Sequence, residues 1–319
     1  MGVIGKNIKT AAAKLREGGI VAIPTETVYG LAANALDTKA VLKVFEAKQR
    51  PLFDPLILHV DSLERAFDYA EFDNTKLLML AKTFWPGSLT LLVKKKPNVP
   101  YLITSGLDRV AIRVPNHPVA LELFRQLDFP LAAPSANPFG YISPTSAKHV
   151  DEQLGNLVDY ILDGDNCSIG IESTIVGEEG GRLIVYRLGG IAVEQLEEVC
   201  GKLEFSLNKS SNPKAPGQLK SHYAPRKKMK LTESPKDLVK ANANCKIAYL
   251  GFSSKIIAEN VVASLALSES GDVAEAAKNL FSFLRELDHS EAELIIAEKL
   301  PGTFLGRAVN DRLERASAE

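Results

Sequence analysis

Two cations stand two residues apart in Lys48-Gln49-Arg50-Pro51. That spacing suits a polyphosphate, because a guanidinium grips two oxygens at once while an ammonium supplies a point charge. Cations at the C-terminal end of a helix also offset its dipole, so spacing alone leaves both uses open. In Pro134-Ser135-Ala136-Asn137-Pro138, two prolines hold a hydroxyl and an amide in a fixed loop. Ser143-Pro144-Thr145-Ser146 has the form of a helix start, with Ser143 as N-cap and Pro144 at the first helical position. Its free N–H groups would suit an anion, although a plain cap and a plain turn are the competing uses. Arg113 lies on a strand's polar face, Glu172-Ser173-Thr174 opens another strand and Arg187 closes the next, and a buried Arg needs a carboxylate or phosphate partner, internal or bound. His59, mid-strand in Leu58-His59-Val60, fits a hydrogen-bonded core position as readily as a catalytic one. Together these residues point to a nucleotide-sized anionic ligand in the first part of the chain.

Periodicity indicates the elements that must position them. Ile8, Ala11, Ala12 and Leu15 recur at helical spacing, Gly18-Gly19 stops that helix, and Ile20 to Ile23 reads as a short buried strand, so Thr25 to Gly30 is a loop. Val41, Val44, Phe45 and Lys48 mark a second helix, which Pro51 predicts to end near Gln49. Strands are predicted at 56–60, 88–94, 109–114, 131–133, 158–162, 173–176 and 183–186, with helices near 117–126 and 145–153. The strands cluster without strict alternation with helices, so the fold class is α/β with a twisted mixed sheet rather than a doubly wound parallel one.

Residues 206–230 carry seven positive side chains (Lys209, Lys214, Lys220, Arg226, Lys227, Lys228 and Lys230) and no acidic one. They read as a basic linker between a domain at 1–205 and a small Rossmann-like α/β domain at 231–319, too short for a full dinucleotide site. In that second domain, strands are predicted at 245–252 and 294–297, and Val273, Ala276, Ala277, Leu280, Leu284 and Leu287 form a helix stripe.

The whole chain of 319 residues has 38 Lys+Arg against 39 Asp+Glu, which argues against a surface devoted to coating nucleic acid. Cys167, Cys200 and Cys245 form no C-x-x-C pair, so neither a zinc knuckle nor a disulfide framework is indicated. Met1 to Lys14 has no apolar h-region, and no apolar run approaches the roughly 20 residues that span a bilayer. A cytoplasmic location without membrane contact is therefore expected. P-loop, G-x-G-x-x-G, G-x-S-x-G and H-E-x-x-H motifs are absent.

Pro24-Thr25-Glu26-Thr27-Val28-Tyr29-Gly30-Leu31, the Lys48-Gln49-Arg50 run and Pro134-Ser135-Ala136-Asn137 occur in that order. The sequence thereby resembles the YrdC-like family of threonylcarbamoyl-AMP synthases, with its paired K-x-R and S-x-N motifs. Arg113 to Pro118 and Glu172 to Val176 also fit. Ala215 to Pro225 resembles the linker of the longer, two-domain members, and Asn310-Asp311-Arg312-Leu313 the end of their second domain. The resemblance implies synthesis of L-threonylcarbamoyl-AMP from L-threonine, bicarbonate or CO2, and ATP, with release of pyrophosphate. The product would feed a separate threonylcarbamoyl transferase complex that modifies tRNA beside the anticodon, and tRNA itself is a further possible partner.

Carried over by motif, Lys48 and Arg50 would hold the triphosphate and serve catalysis by neutralising its charge, with Ser135, Asn137, Ser143 and Arg187 completing the ATP site. Thr27, His59, Arg113 and Ser173 would hold L-threonine. The resemblance also implies Mg²⁺ bound chiefly through the phosphates, with no ligand set from the protein. His222 and Tyr223 would approach the nucleotide if the linker acted as a lid. Asp54 stands where the family often has Asn, Arg109 where Thr is common, and Ala133 where some relatives place a hydroxyl. The alternative from another class is a non-catalytic RNA-binding module on the same fold.

Overall fold

The computed structural model describes residues 3–207, 215–217 and 222–318. These fall into two compact units, one within 1–139, 144–168 and 172–219, the other within 140–143, 169–171 and 220–319. Lys209, Lys214 and Lys220 of the expected linker lie outside the described residues.

The first unit begins with β1 (Ile4–Gly5), α1 (Ile8–Arg16), β2 (Val21–Ile23), β3 (Gly30–Asn34), α2 (Thr38–Lys48), β4 (Ile57–His59), α3 (Leu63–Ala66) and β5 (Ala70–Glu71). It continues through α4 (Thr75–Phe84), β6 (Leu89–Lys95), α5 (Tyr101–Thr104), β7 (Arg109–Arg113), α6 (Pro118–Arg125) and β8 (Leu131–Ala132). It closes with α7 (Ala147–Leu154), β9 (Tyr160–Leu162), β10 (Thr174–Glu179), β11 (Arg182–Arg187), α8 (Val193–Cys200) and β12 (Glu204–Phe205).

Among the described residues these strands form one 12-stranded sheet, ordered β1-β9-β2-β3-β8-β4-β7-β6-β10-β11-β12 with β5 on β6. It is mixed, as expected: β4 pairs parallel with β7 and β6 with β10, whereas β6–β7 and β10–β11 are antiparallel. β3 was not anticipated. Gly30-Leu31-Ala32-Ala33-Asn34 has no β-branched residue, and pairing with β2 and β8 sets its conformation. α7 also starts later than the sequence suggested: its N-cap is Ser146, whose hydroxyl accepts from His149 N–H, not Ser143. The Pro144 carbonyl instead accepts from Tyr29 N–H at 2.9 Å, which ties this stretch to the entry of β3.

The second unit contains β13 (Lys228–Thr232), α9 (Pro235–Ala241), β14 (Ile247–Gly251), β15 (Val261–Ala266), α10 (Val273–His289), β16 (Leu294–Glu298) and α11 (Leu305–Ala316). Its four strands, ordered β13-β16-β14-β15, are parallel throughout, the arrangement expected of a small Rossmann-like domain. Lys228 and Lys230, read from sequence as linker, are strand residues. Residues 140–143 belong to this unit: Tyr141 Oη donates to Asp288 at 2.6 Å and Arg285 donates to the Ile142 carbonyl. No helix among the described residues is long and apolar enough to cross a membrane.

Candidate active site

Strand register places several polar residues on one face of the large sheet. Partners across a ladder share a face, and alternate residues along a strand return to it. His59 pairs with Arg113, Ile57 with Ala111, Leu92 with Ala111, and Ile175 with Thr90. One face therefore carries His59, Arg113 and Thr90 followed by an apolar patch of Ile57, Ala111, Leu92, Ile175, Ile184 and Tyr186, on which Ala215 packs. Beyond the patch lies a cavity of about 310 Å³ lined by Leu92, Leu107, Asp108, Arg109, Glu179, Gly180 and Tyr186.

The K-x-R and S-x-N motifs are physically joined. α2 ends at Gln49, which takes the left-handed conformation (φ 52°), while Arg50 N–H reaches back to the Phe45 carbonyl at 2.9 Å. Lys48 Nζ then donates to the Ser135 and Asn137 carbonyls at 2.5 and 2.6 Å, and the Lys48 carbonyl accepts from Phe139 N–H. Ala136 N–H donates to the Tyr29 carbonyl, which pins the loop to the start of β3. Lys48 is 1% exposed. Burial, and after it the charge of Arg50, hold its ammonium well below the ordinary lysine range.

Arg50 folds over its own following turn, donating to the Asp54 and Pro55 carbonyls, and its Nη2 lies 2.9 Å from Asp54 Oδ2. Asp54 is fully buried. Burial raises its carboxyl pKa, against the opposing pull of Arg50, Lys48 and Arg187. The acid that stands where the family often has Asn is thus the counter-ion of a three-cation cluster. Arg187, closing β11, donates from Nε to the Ser173 carbonyl and from Nη2 to Ser173 Oγ, both at 3.0 Å, and from Nη1 to the Pro216 carbonyl. Ser173 Oγ also lies 2.7 Å from Thr90 Oγ1.

A second cluster surrounds Arg113, whose Nε donates to the Gly87 carbonyl, Nη1 to Thr27 Oγ1 at 2.9 Å and Nη2 to Glu26 Oε1 at 2.6 Å. Thr27 and Arg113, assigned together from sequence, are in direct contact. The partner sequence reasoning missed is Glu26, although it is the one acid in the Pro24–Gly30 loop and a buried Arg demands a counter-charge. His59 sits between the clusters in electrostatic terms: burial first, then Arg113, bring its imidazole down to about 3, and Arg187 adds to the effect. His59 is therefore neutral, with Nδ1 3.2 Å from the Ile57 carbonyl.

Three of the residues assigned from sequence belong to the second unit. Ser143 is buried in the second unit and caps no helix. His222 and Tyr223 also belong to that unit, where their rings pack edge to face and Arg312 lies over Tyr223. Arg109 donates to the Glu178 carbonyl, and Ala133 packs under Gly30.

Comparison with known proteins finds named relatives of this chain. A family model described as "Telomere recombination" (Sua5, YciO and YrdC) matches residues 13–189, and one described as "Threonylcarbamoyl-AMP synthase, C-terminal domain" matches 191–318. The chain belongs to the threonylcarbamoyl-AMP synthase family. Similar members of that family include the threonylcarbamoyl-AMP synthase of Pyrococcus abyssi, 42% identical across 97% of this chain and 94% of that protein. The Bacillus subtilis enzyme of the same name is 37% identical across 97% of this chain and 92% of its own. Among solved structures, P. abyssi Sua5 complexed with L-threonine superposes with a TM-score of 0.91 at 38% identity, covering 99% of this chain and 97% of that one.

Proposed function

We propose that this protein forms L-threonylcarbamoyl-AMP from L-threonine, bicarbonate or CO2, and ATP, releasing pyrophosphate, as the intermediate for threonylcarbamoyladenosine in tRNA. One observation carries this reading beyond family membership. Arg187 of the cation cluster donates to Ser173, whose Oγ lies 2.7 Å from Thr90 Oγ1 on the sheet face that also carries Arg113 and His59. A polyanion site and an amino-acid site thus adjoin, as the reaction requires.

Carboxylation of the threonine amine gives a carbamate. Its oxygen attacks the α-phosphorus while the bond to the β-phosphate oxygen breaks, so no covalent enzyme intermediate is needed and charge neutralisation dominates. Lys48, Arg50 and Arg187 supply that neutralisation, with Ser135 and Asn137 ordering the loop beside the phosphates. The apolar patch and the Tyr186-lined cavity suit the flat face of a purine. Arg113, Thr27, His59 and Ser173 hold threonine, His59 as a neutral hydrogen-bonding ring. Mg²⁺ would arrive with the nucleotide, held chiefly through its phosphate oxygens, and Asp54 is committed to Arg50. Lys48, Arg50, Arg113, Ser173 and Arg187 are buried and the Pro216 carbonyl accepts from Arg187, so substrates enter by local opening. The three free thiols fit a reducing cytoplasm, from which the adenylate passes to a tRNA-modifying threonylcarbamoyl transferase.

An RNA-binding module is the weaker reading. A polymer backbone is bound by exposed cations, whereas Lys48, Arg50 and Arg187 are 1, 8 and 6% exposed. Incubation with L-threonine, Mg-ATP and ¹³C-bicarbonate tests the proposal directly. A product with the mass of threonylcarbamoyl-AMP carrying one ¹³C is expected; labelled bicarbonate left out of every adenylate would refute it.

A further inference from the structure

We propose that Glu26 receives the α-ammonium group of the amino-acid substrate and takes its first proton, an inference that rests on the reaction proposed above. Glu26 lies in a turn locked by its neighbours: Thr25 Oγ1 accepts from Thr27 and Val28 N–H at 3.1 and 3.2 Å and donates to the Val28 carbonyl at 2.7 Å. Its side chain is 7% exposed. Oε1 accepts from Arg113 Nη2 at 2.6 Å and from Ser88 Oγ at 3.3 Å. Oε2 is buried and has no donor among the described residues.

Guanidinium and carboxylate frequently meet as parallel forks, with both carboxylate oxygens gripped. Arg113 instead spreads its three nitrogens over Gly87, Thr27 and Glu26 Oε1, leaving Oε2 outside the pair. A buried carboxylate oxygen without a donor is costly. The missing donor is an N–H or ammonium that no described residue supplies.

An α-amino acid carries its two charges one carbon apart. Arg113 uses three of its five N–H groups internally, and those left can take the carboxylate while Oε2 takes the ammonium. The pair is a clamp for a zwitterion, and it rejects acids that lack the amine.

The same contact serves the chemistry. One ammonium N–H breaks and an O–H forms on Glu26, leaving a neutral amine. The nitrogen lone pair forms the C–N bond to CO2 as one C=O pair moves onto oxygen. The second nitrogen proton leaves to solvent, giving the carbamate. When CO2 is the source, the Glu26 proton also leaves to solvent; when bicarbonate is the source, that proton passes to it, and CO2 and water result; either way the carboxylate returns. The substrate group thereby changes from cation to anion, and Glu26 attracts the first and repels the second. Repulsion directs the carbamate toward Lys48, Arg50 and Arg187.

The test compares Glu26→Gln with the unsubstituted protein, using threonine-dependent pyrophosphate release and inhibition by L-threo-2,3-dihydroxybutyrate, threonine with hydroxyl in place of the amine. Glu26→Gln is expected to raise the threonine KM at least tenfold and lower kcat about 100-fold or more. It should leave Mg-ATP binding within twofold and improve relative binding of the hydroxy acid at least fivefold. Glu26→Asp, which keeps the charge, should retain the preference for threonine at reduced kcat, and it carries the test if Glu26→Gln does not fold. Equal weakening of threonine and the hydroxy acid, or unchanged discrimination, would overturn the proposal by reducing Glu26 to a support for Arg113. Failure of the unsubstituted protein to release pyrophosphate in response to threonine would instead overturn the reaction beneath it.

Discussion

Replacing Asp54 by Asn isolates what the buried acid contributes to the cation cluster. The substitution keeps shape and removes one negative charge held 2.9 Å from Arg50 and acted on by Lys48 and Arg187. At that separation and an effective dielectric of about 20, the Arg50 attraction is about 6 kcal/mol. Burial outweighs that attraction for the carboxylate itself, so the loss on substitution comes from leaving the buried cations without a counter-charge, about 3 kcal/mol. For a unit of this size that is a drop of about 6–12 °C in the thermal midpoint. The triphosphate brings the negative charge that the substituted amide lacks, so Mg-ATP should restore most of the stability and bind about tenfold more tightly for each 1.4 kcal/mol recovered. Scanning calorimetry with and without Mg-ATP, together with an ATP titration, measures both effects. A variant as stable as the parent without nucleotide, or one that binds ATP more weakly, would show that Asp54 is not the counter-ion of this cluster.

Three further outcomes follow from the geometry. Because burial and Arg50 depress the Lys48 ammonium, a bound triphosphate should draw it back to the protonated form. ATP affinity should then fall as pH rises through the free-state Lys48 value, and calorimetry in buffers of different ionisation enthalpy should detect proton uptake; zero uptake across the pH range would contradict it. His59 stays neutral in the fold down to about 3 but charges in the unfolded chain below 6.5. Its contribution to stability is therefore present above pH 6.5 and is lost as pH falls toward 3, costing about 1.4 kcal/mol between pH 7.5 and 5.5. Urea denaturation at those two pH values should show a smaller loss for His59→Gln, and equal losses would reject the assignment. Ser173→Ala removes an acceptor for Arg187 Nη2 and the partner of Thr90 Oγ1, so about 1–3 kcal/mol of stability should disappear in the same assay, with a higher KM for ATP; unchanged stability would mean the contacts are incidental.

Sequence legibility followed physical locality. Helix and strand periods placed α1, α2, β7 and α10 to within a few residues, because each buries a regular apolar stripe. β3 escaped because its small residues carry no strand signal and its conformation comes from β2 and β8. Ser143 looked like a cap because local sequence cannot show that Pro144 is held by Tyr29. The K-x-R and S-x-N motifs were visible, but not the bonds from Lys48 Nζ to the Ser135 and Asn137 carbonyls, 87 and 89 residues away. Arg113 announced its need for an anion, and Glu26 was its unrecognised answer.

The measurement that bears most directly on the central claim is pyrophosphate release from ATP with each substrate omitted in turn. Release is expected only when L-threonine, bicarbonate and Mg-ATP are present together, and it should fall to background when threonine or bicarbonate is withheld. Release at the same rate without threonine would contradict a site in which the Arg113 cluster delivers an amino-acid carbamate to the Lys48, Arg50 and Arg187 cations.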